Sequence, residues 1–320
     1  MTPDEKYPMR RSKFRDGWMN MESELPEPRI DWIQNKILDI PYGTDPLQKI
    51  DVYYPNEQKE KYPLFIVIHG GGWSHMDKRD WHLYPSFFAL EKGFMVVSIN
   101  YRLAPKNKLP DATYDCFNAF EHIITNAGEL KIDLSHIFVW GCSAGGNLGT
   151  ASVLKYAKDE RITIKAMVAV VPALDMAPLY KTMYNALGSD MGVINEINAG
   201  MGTNYPPWLF RLLRPVLIGK ISKDTFGRKI NFNKTPVAEY DASFYLSDRA
   251  PKFYFSYGEK DPLITQSDIR LFAAKLLEHG LTRDDIVFDQ VKGAPHMGAT
   301  HHFFDEDVIM RYINFCVSLL

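Results

Sequence analysis

The stretch Gly141-Cys142-Ser143-Ala144-Gly145-Gly146 joins an apolar run, Ile137 to Trp140, to a helical pattern at Leu148 to Lys158. A serine between glycines, at a sharp turn from a strand into a helix, is typical of a strained turn that exposes a nucleophile. The glycines let the strand and the helix approach closely. The alternative, a glycine-rich turn with an inert serine, is disfavoured by the flanking strand and helix. We therefore predict that Ser143 is a nucleophile.

Apolar runs and helical patterns alternate along the chain on both sides of this turn. The predicted strands are Ile50–Tyr54, Leu64–Ile68, Phe94–Ile99, Ile137–Trp140, Ala166–Val171, Lys252–Tyr257 and Ile286–Val291. The predicted helices are Trp81–Glu91, Asp111–Ala127, Leu148–Lys158, Ser267–His279 and Asp305–Leu319. Continuous apolar runs indicate strands that are buried on both faces. This order predicts an α/β fold with a mostly parallel, twisted sheet and helices on both faces.

Two regions interrupt the alternation and define the expected domains. Residues 1–47 are polar and irregular, and we predict an N-terminal flank with a short helix at Arg29 to Leu38. Residues 48–320 are predicted to form the main domain. About 80 residues separate the strand that ends at Val171 from the strand that begins at Lys252. Because a structureless loop of that length is not expected in a compact domain, we predict a helical cap insertion at about 174–250.

The predicted cap contains an apolar cluster that we expect to select substrates. Its members are Tyr205, Trp208, Leu209, Phe210, Leu212 and Leu213. Arg211 and Arg214 interrupt the cluster, so one face of this segment should remain exposed to solvent. We predict that Trp208, Leu209 and Phe210 line the substrate pocket. The alternative is that the cluster only packs the cap onto the main domain.

A second glycine-rich turn, His69-Gly70-Gly71-Gly72-Trp73, follows the strand Leu64 to Ile68. Glycines there allow backbone N–H groups to turn toward a substrate oxygen, and together with the N–H of Ala144 they can form an oxyanion hole. The alternatives are a plain turn and a phosphate-binding loop, for which the sequence pattern fits poorly. We expect His69 to position the loop and Trp73 to border the substrate pocket.

A serine nucleophile needs a base, and the base needs an acid that orients it. In folds with this kind of turn the acid and then the base follow the serine along the chain. Asp261 lies just beyond the strand Lys252 to Tyr257, and His296 lies just beyond the strand Ile286 to Val291. We predict that Asp261 is the acid and that His296 is the base.

Other candidates for these roles are less well placed. Glu259 is the second choice for the acid, two residues before Asp261. His301 and His302 are expected at the start of the last helix, on its surface or in its N-terminal flank. The cysteines are few, scattered and odd in number, which indicates buried thiols rather than a disulfide framework or a zinc cluster. We expect neither a metal nor an organic cofactor.

The composition excludes several classes of protein. The chain has 320 residues, of which 46% are hydrophobic and 24% are charged, and its net charge is −2. These values exclude global disorder and fibrous repeats, and they lack the basic excess of a nucleic-acid binder. No window reaches 18 uninterrupted apolar residues, so no membrane span is expected. The first residues lack the apolar run of a secretory signal, so we expect a cytoplasmic protein.

The chain resembles the α/β-hydrolase esterases of the hormone-sensitive-lipase-like group and their relatives in the carboxylesterase and acetyl-xylan-esterase-like families. The matching stretches are His69–Trp73, Asn100–Pro105, Gly141–Gly146, Gly258–Pro262 and Pro295–His296, within about residues 48 to 316. The first stretch also resembles formamidases that cleave N-formylkynurenine, and the turn at Ser143 resembles that of prolyl oligopeptidase-type peptidases. In many members of the lipase-like group a longer cap lies at the N-terminus, whereas here the large insertion follows Val171.

The resemblance implies that Ser143 is the nucleophile, Asp261 the acid and His296 the base. It also implies that the N–H groups of Gly71, Gly72 and Ala144 form the oxyanion hole, and Gly70 could replace one of the loop glycines. We expect hydrolysis of carboxylic esters with small or medium acyl groups through an acyl-enzyme. An arylformamidase or small-amide hydrolase with the same triad is the alternative. A catalytically silent ligand-binding homologue is disfavoured by the intact triad. The expected partner is a small ester substrate, and the sequence is also compatible with a homodimer.

Overall fold

The computed structural model describes residues 7–15, 22–191, 194, 204–227, 238–296 and 304–320. His301 and His302 lie outside the described residues, as do positions 192–193, 195–203 and 228–237 of the predicted cap and parts of the predicted N-terminal flank. Among the described helices, none is long and apolar enough to cross a membrane.

The centre of the molecule is a twisted sheet that, within the described residues, has eight strands. A separate antiparallel pair precedes it, formed by β1 (Met9–Arg15) and β2 (Glu22–Pro28). The strands of the sheet are β3 (Lys36–Pro41), β4 (Lys49–Tyr53), β5 (Tyr62–Ile68), β6 (Met95–Ile99), β7 (Ile132–Cys142), β8 (Ile164–Val170), β9 (Lys252–Gly258) and β10 (Ile286–Val291). Their order is β10-β9-β8-β7-β5-β6-β4-β3, and only the pairs β3–β4 and β4–β6 are antiparallel. The predicted α/β class with a mostly parallel sheet is confirmed.

Eight described helices lie in the connections between the strands of this sheet or follow its last strand. They are α1 (Ser86–Glu91), α2 (Leu109–Thr125), α3 (Ala127–Leu130), α4 (Ala144–Tyr156), α5 (Met176–Ser189), α6 (Pro207–Phe226), α7 (Gln266–Glu278) and α8 (Glu306–Val317). The first turn of α7 is closed by a capping box, in which Thr265 and Asp268 each accept from the other's backbone N–H. The central strands, such as β6 and β8, are buried because helices cover both faces of a parallel sheet.

Two sequence-based predictions of helices are wrong in detail. The chain at Arg29 to Leu38 forms no helix; instead β3 begins at Lys36 and pairs with β4, so the sheet starts inside the predicted N-terminal flank. Side chains of β3 alternate between half-buried and exposed, which is the two-residue period of an edge strand. The predicted helix Trp81–Glu91 is split into a short 3-10 helix and α1, because Pro85 lacks the N–H that a continuous helix would need.

The predicted insertion at about 174–250 contains α5 and α6, which pack on each other. The two ends of the insertion meet at the main domain. The Met176 N–H donates to Asp241 Oδ1 at 2.6 Å, and the Ala242 N–H donates to the Leu174 carbonyl at 2.9 Å. The side-chain amide of Asn147, on α4, donates to the carbonyls of both Leu174 and Tyr240 at 3.2 Å each. The helix that follows Ser143 therefore holds both stems of the insertion.

Candidate active site

Ser143 lies at the tip of the turn between β7 and α4 in a backbone conformation that non-glycine residues rarely adopt, with φ of 50° and ψ of −114°. Its N–H donates to the Val170 carbonyl at 2.9 Å. A Cβ on Gly145 would lie 2.1 Å from the Ile68 carbonyl oxygen, so only glycine fits where α4 crosses the end of β5. The turn thus presents the serine hydroxyl outward while strand and helix pack tightly below it.

A continuous chain of contacts runs from this hydroxyl to a buried carboxylate. Ser143 Oγ lies 3.2 Å from His296 Nε2, and His296 Nδ1 lies 2.8 Å from Asp261 Oδ2. The other carboxylate oxygen, Oδ1, accepts the N–H groups of Leu263 and Ile264 at 2.8 Å each. The Asp261 side chain is fully shielded from solvent, and that of His296 is nearly so. With the carboxylate at Nδ1, a neutral ring holds its proton there and leaves Nε2 as the acceptor toward Ser143.

The loop at His69–Trp73 borders the same site as Ser143. Gly71, Gly72 and Trp73 all have positive φ values of 92°, 56° and 60°. Such backbone turns the peptide N–H groups away from a regular strand direction, and glycine adopts it without strain. Gly71, Gly72 and Ala144 all line the cavity at Ser143, and Ala144 is the first residue of α4, where helix N–H groups have no partner in the helix. The structure brings the three predicted oxyanion donors together around the serine.

His69 is held inside the protein under this loop. Its ring stacks on Tyr101 with centroids 4.3 Å apart, and the Tyr101 hydroxyl donates to the carbonyls of His69 at 2.9 Å and Gly70 at 3.0 Å. Burial lowers the pKa of His69, so the ring is neutral at physiological pH. These contacts agree with the expectation that His69 positions the loop.

The site opens into a cavity of about 200 Å³ with mainly apolar walls. Its apolar side chains are Trp73, Met76, Trp81, Leu179, Met183, Leu263 and Ile264. Of the four predicted pocket residues, Trp73 lies in this wall, whereas Trp208, Leu209 and Phe210 do not. The insertion contributes Leu179 and Met183 from α5 instead.

The orientation of α6 explains why Trp208, Leu209 and Phe210 do not line the cavity. Trp208 is 63% exposed, Leu209 is half-buried, and Phe210 is buried without bordering the cavity. Two residues apart on a helix point to opposite sides, so the apolar cluster could not form a single wall. A sequence feature that could have predicted the cavity wall is the pair Leu179 and Met183. These residues are spaced by four on the first helix after the strand that ends at Val170.

Sequence reasoning also missed a second acid–imidazole pair beside the cavity. His82 borders the cavity, and both its N–H and its Nδ1 lie 2.8 Å from Asp80 Oδ1. Burial acts to raise the pKa of Asp80, but the charge and hydrogen bonds of His82 outweigh it, so the pKa is lowered. The spacing Asp80-x-His82 was visible in the sequence, but neither residue follows a predicted strand end.

Two further acidic groups take supporting positions. Glu259, the second choice for the acid, accepts the Gly293 N–H at 2.8 Å and so braces the loop that carries His296. Asp289 accepts the Tyr254 hydroxyl at 2.8 Å within the sheet. In the part of the chain that the structure describes, no group of three or more His, Cys, Asp and Glu residues is arranged to hold a metal ion.

Comparisons with known proteins agree with this architecture. The BD-FAE family model matches residues 50–200. The arylesterase of Saccharolobus solfataricus is 39% identical over 130 residues, which are 40% of this chain and 42% of that protein. Carboxylesterase NlhH of Mycobacterium tuberculosis is 36% identical over 139 residues, which are 42% of this chain and 40% of that protein. The chain thus spans about two fifths of the length of these curated relatives.

Solved structures extend the likeness over nearly the whole fold. The hyperthermophilic esterase of Pyrobaculum calidifontis has a TM-score of 0.65 and 23% identity, covering 89% of this chain and 82% of that one. At this identity the likeness establishes the fold alone. Together with the sequence matches it confirms the resemblance derived from the motifs. The chain has the α/β-hydrolase fold and is similar to esterases of the hormone-sensitive-lipase-like group.

Proposed function

We propose that the chain is a serine esterase that hydrolyses carboxylic esters with small or medium acyl groups. The observation that carries this proposal is the chain of contacts Ser143 Oγ–His296 Nε2–Asp261, at 3.2 and 2.8 Å, at the wall of an apolar cavity. The names of the arylesterase and carboxylesterase relatives support the same activity.

The geometry supports a two-step acyl transfer. His296 Nε2 takes the hydroxyl proton while Ser143 Oγ bonds to the ester carbonyl carbon, and Asp261 stabilises the imidazolium that forms. The N–H groups of Gly71, Gly72 and Ala144 stabilise the negative charge on the carbonyl oxygen. Collapse of this intermediate breaks the ester bond, and His296 returns the proton to the leaving alcohol. Water then attacks the acyl-enzyme by the same route, which releases the acid and restores the serine.

The cavity supports a substrate whose acyl or alcohol group is apolar and compact. A volume of about 200 Å³ leaves room for a short acyl chain, and the side chains of Trp73, Leu179 and Met183 offer it contact without hydrogen bonds. Long acyl chains would have to leave the cavity.

Three substrates and one covalent probe test the proposal. We expect turnover of nitrophenyl acetate and butyrate, weaker turnover of N-formylkynurenine, and labelling by an active-site serine phosphonate. Ser143→Ala should no longer be labelled, and its ester turnover should fall by about 10⁶-fold, as expected when the serine of a triad is removed. Ser318→Ala, near the C-terminus, is the matched control and should keep both.

Each other outcome has a distinct meaning. Faster turnover of N-formylkynurenine than of the esters would replace the esterase by the formamidase alternative. Absence of phosphonate labelling in the folded wild-type chain would contradict any serine hydrolase.

A further inference from the structure

The outer face of α6 exposes a stripe of large apolar side chains. Trp208, Leu212 and Val216 are 63%, 67% and 69% exposed. They are spaced by four residues, so they lie one above the other along a single face of the helix. The opposite face packs against the rest of the protein through Phe210, Ile218 and other buried residues. Soluble proteins rarely expose a continuous apolar strip of this kind without a partner.

Positive charge flanks the stripe. Arg211 lies beside the stripe, Lys220 and Lys223 continue it by one and two turns toward the C-terminal end of α6, and all three are exposed. In the whole of α6 the single acidic residue is Asp224, which pairs with Lys220 at 2.6 Å. The exposed face of α6 therefore combines an apolar stripe with a net positive charge beside it and at its C-terminal end.

This combination selects among the occupants of the face. A second copy related by a two-fold axis would place α6 against α6 and bring the same basic groups together. An anionic lipid surface instead offers apolar depth for the stripe and negative charge for its edges, as amphipathic helices at membrane interfaces require. We propose that α6 docks the protein, through the Trp208–Leu212–Val216 face, on anionic lipid surfaces.

The position of α6 connects this surface to the candidate active site. α6 packs against α5, and α5 contributes Leu179 and Met183 to the wall of the cavity. Docking would thus place lipid against α6, the helix that packs behind the cavity-lining α5. The docking itself does not depend on ester hydrolysis, so the two proposals stand or fall separately.

Sedimentation with lipid vesicles tests the proposal on the full chain. We expect the protein to co-sediment with equimolar phosphatidylglycerol–phosphatidylcholine vesicles at low salt and to bind pure phosphatidylcholine vesicles much less. The double variant Leu212→Gln/Val216→Gln should bind the anionic vesicles about tenfold less or weaker, because two aliphatic side chains no longer leave water. Lys223→Gln should weaken binding in a salt-dependent manner.

Matched controls separate this role from general surface effects. Leu271→Gln removes another exposed leucine, 57% accessible, on α7 and should bind as wild type. Thermal unfolding should be unchanged in all variants, because every replaced side chain is exposed. Wild-type binding by Leu212→Gln/Val216→Gln, or equal binding to both vesicle types, would overturn the proposal. So would a wild-type dimer that ignores vesicles and that this double variant dissociates, since the face would then be an interface between copies.

Discussion

The three residues of the proposed triad are far apart in sequence but follow neighbouring parts of one sheet. Ser143 comes directly after β7, Asp261 follows β9, and His296 follows β10. The carboxyl ends of parallel strands lie at the same edge of a sheet, so residues in the loops after them meet. This is why sequence patterns alone could predict their proximity. The Asp80–His82 pair follows no such rule, and its place beside the cavity could only come from the fold.

Asp261 is expected to act through the tautomer of His296. In Asp261→Asn, the Asn carbonyl can still accept the Leu263 and Ile264 N–H groups, but its amide then faces Nδ1 as a donor. The ring would have to carry its proton on Nε2 and could not accept one from Ser143. We expect kcat for nitrophenyl acetate to fall about 10⁴-fold with little change in thermal stability. Glu259→Gln is the control and should retain most of the activity; a loss below tenfold in Asp261→Asn would contradict the assigned role.

Gly145 illustrates a requirement of packing rather than of chemistry. In Gly145→Ala the new methyl group would lie 2.1 Å from the Ile68 carbonyl oxygen and 2.4 Å from that of His69, both of them backbone atoms. We expect strong destabilisation or failure to fold, measured by urea unfolding. Gly128→Ala is the matched control on α3, because no atom outside its chain neighbours and the backbone of its own helix lies within 4 Å of the added methyl group. It should stabilise the protein by about 0.5–1 kcal/mol, and equal effects of the two changes would disprove the argument.

At the scale of elements, the two helices of the insertion differ in role. The sequence pattern assigned the cavity wall to residues of α6, whereas residues of α5 contribute to it. The apolar cluster at 205–213 suggested a single wall, because hydrophobicity alone does not tell which face of a helix turns inward. The structure assigns the cavity wall to α5 and turns much of α6 to solvent. The presence of helices in the insertion was predictable from its length, but their rotation depends on tertiary packing that the sequence pattern does not contain.

Substitutions on the two helices should therefore differ in effect. Met183→Ala removes a cavity-wall side chain, and we expect the ratio of kcat/KM for butyrate to that for acetate to change by about tenfold or more. Trp208→Ala should leave that ratio unchanged, since Trp208 does not border the cavity. Measured chain-length profiles of both variants decide the matter. A shift in the ratio for Trp208→Ala alone would return the specificity role to α6.

At the scale of the whole molecule, the junction between the insertion and the rest of the chain contains a half-buried acidic group. Partial burial raises the pKa of Asp241 to about 7, and the nearby Asp175 and Glu239 add to the rise, whereas the Met176 N–H and Lys275 oppose it. The folded protein then keeps this proton up to about pH 7, whereas the unfolded chain releases it near pH 4. The contribution of Asp241 to the free energy of unfolding therefore falls as pH rises from about 4 to about 7 and is constant above.

Asp241→Asn should remove this part of the pH dependence. The Asn carbonyl can still accept the Met176 N–H, so the junction keeps its hydrogen bond. We expect the variant to gain stability relative to wild type between pH 5 and pH 8, as measured by urea unfolding at both values. Asp248→Asn, at an exposed carboxylate, serves as the control and should show no such gain. Parallel pH profiles for wild type and Asp241→Asn would refute the assignment.

The shared anchor at Asn147 has a consequence for how this protein can change over time. One side-chain amide binds the chain at Leu174, shortly after β8, and again at Tyr240, before the chain returns to the sheet at β9. Everything between these two points can lengthen, shorten or be exchanged while the ends keep their places. New substrate preferences can then arise when the whole insertion is replaced, while the sequence of the turn at Ser143 does not change.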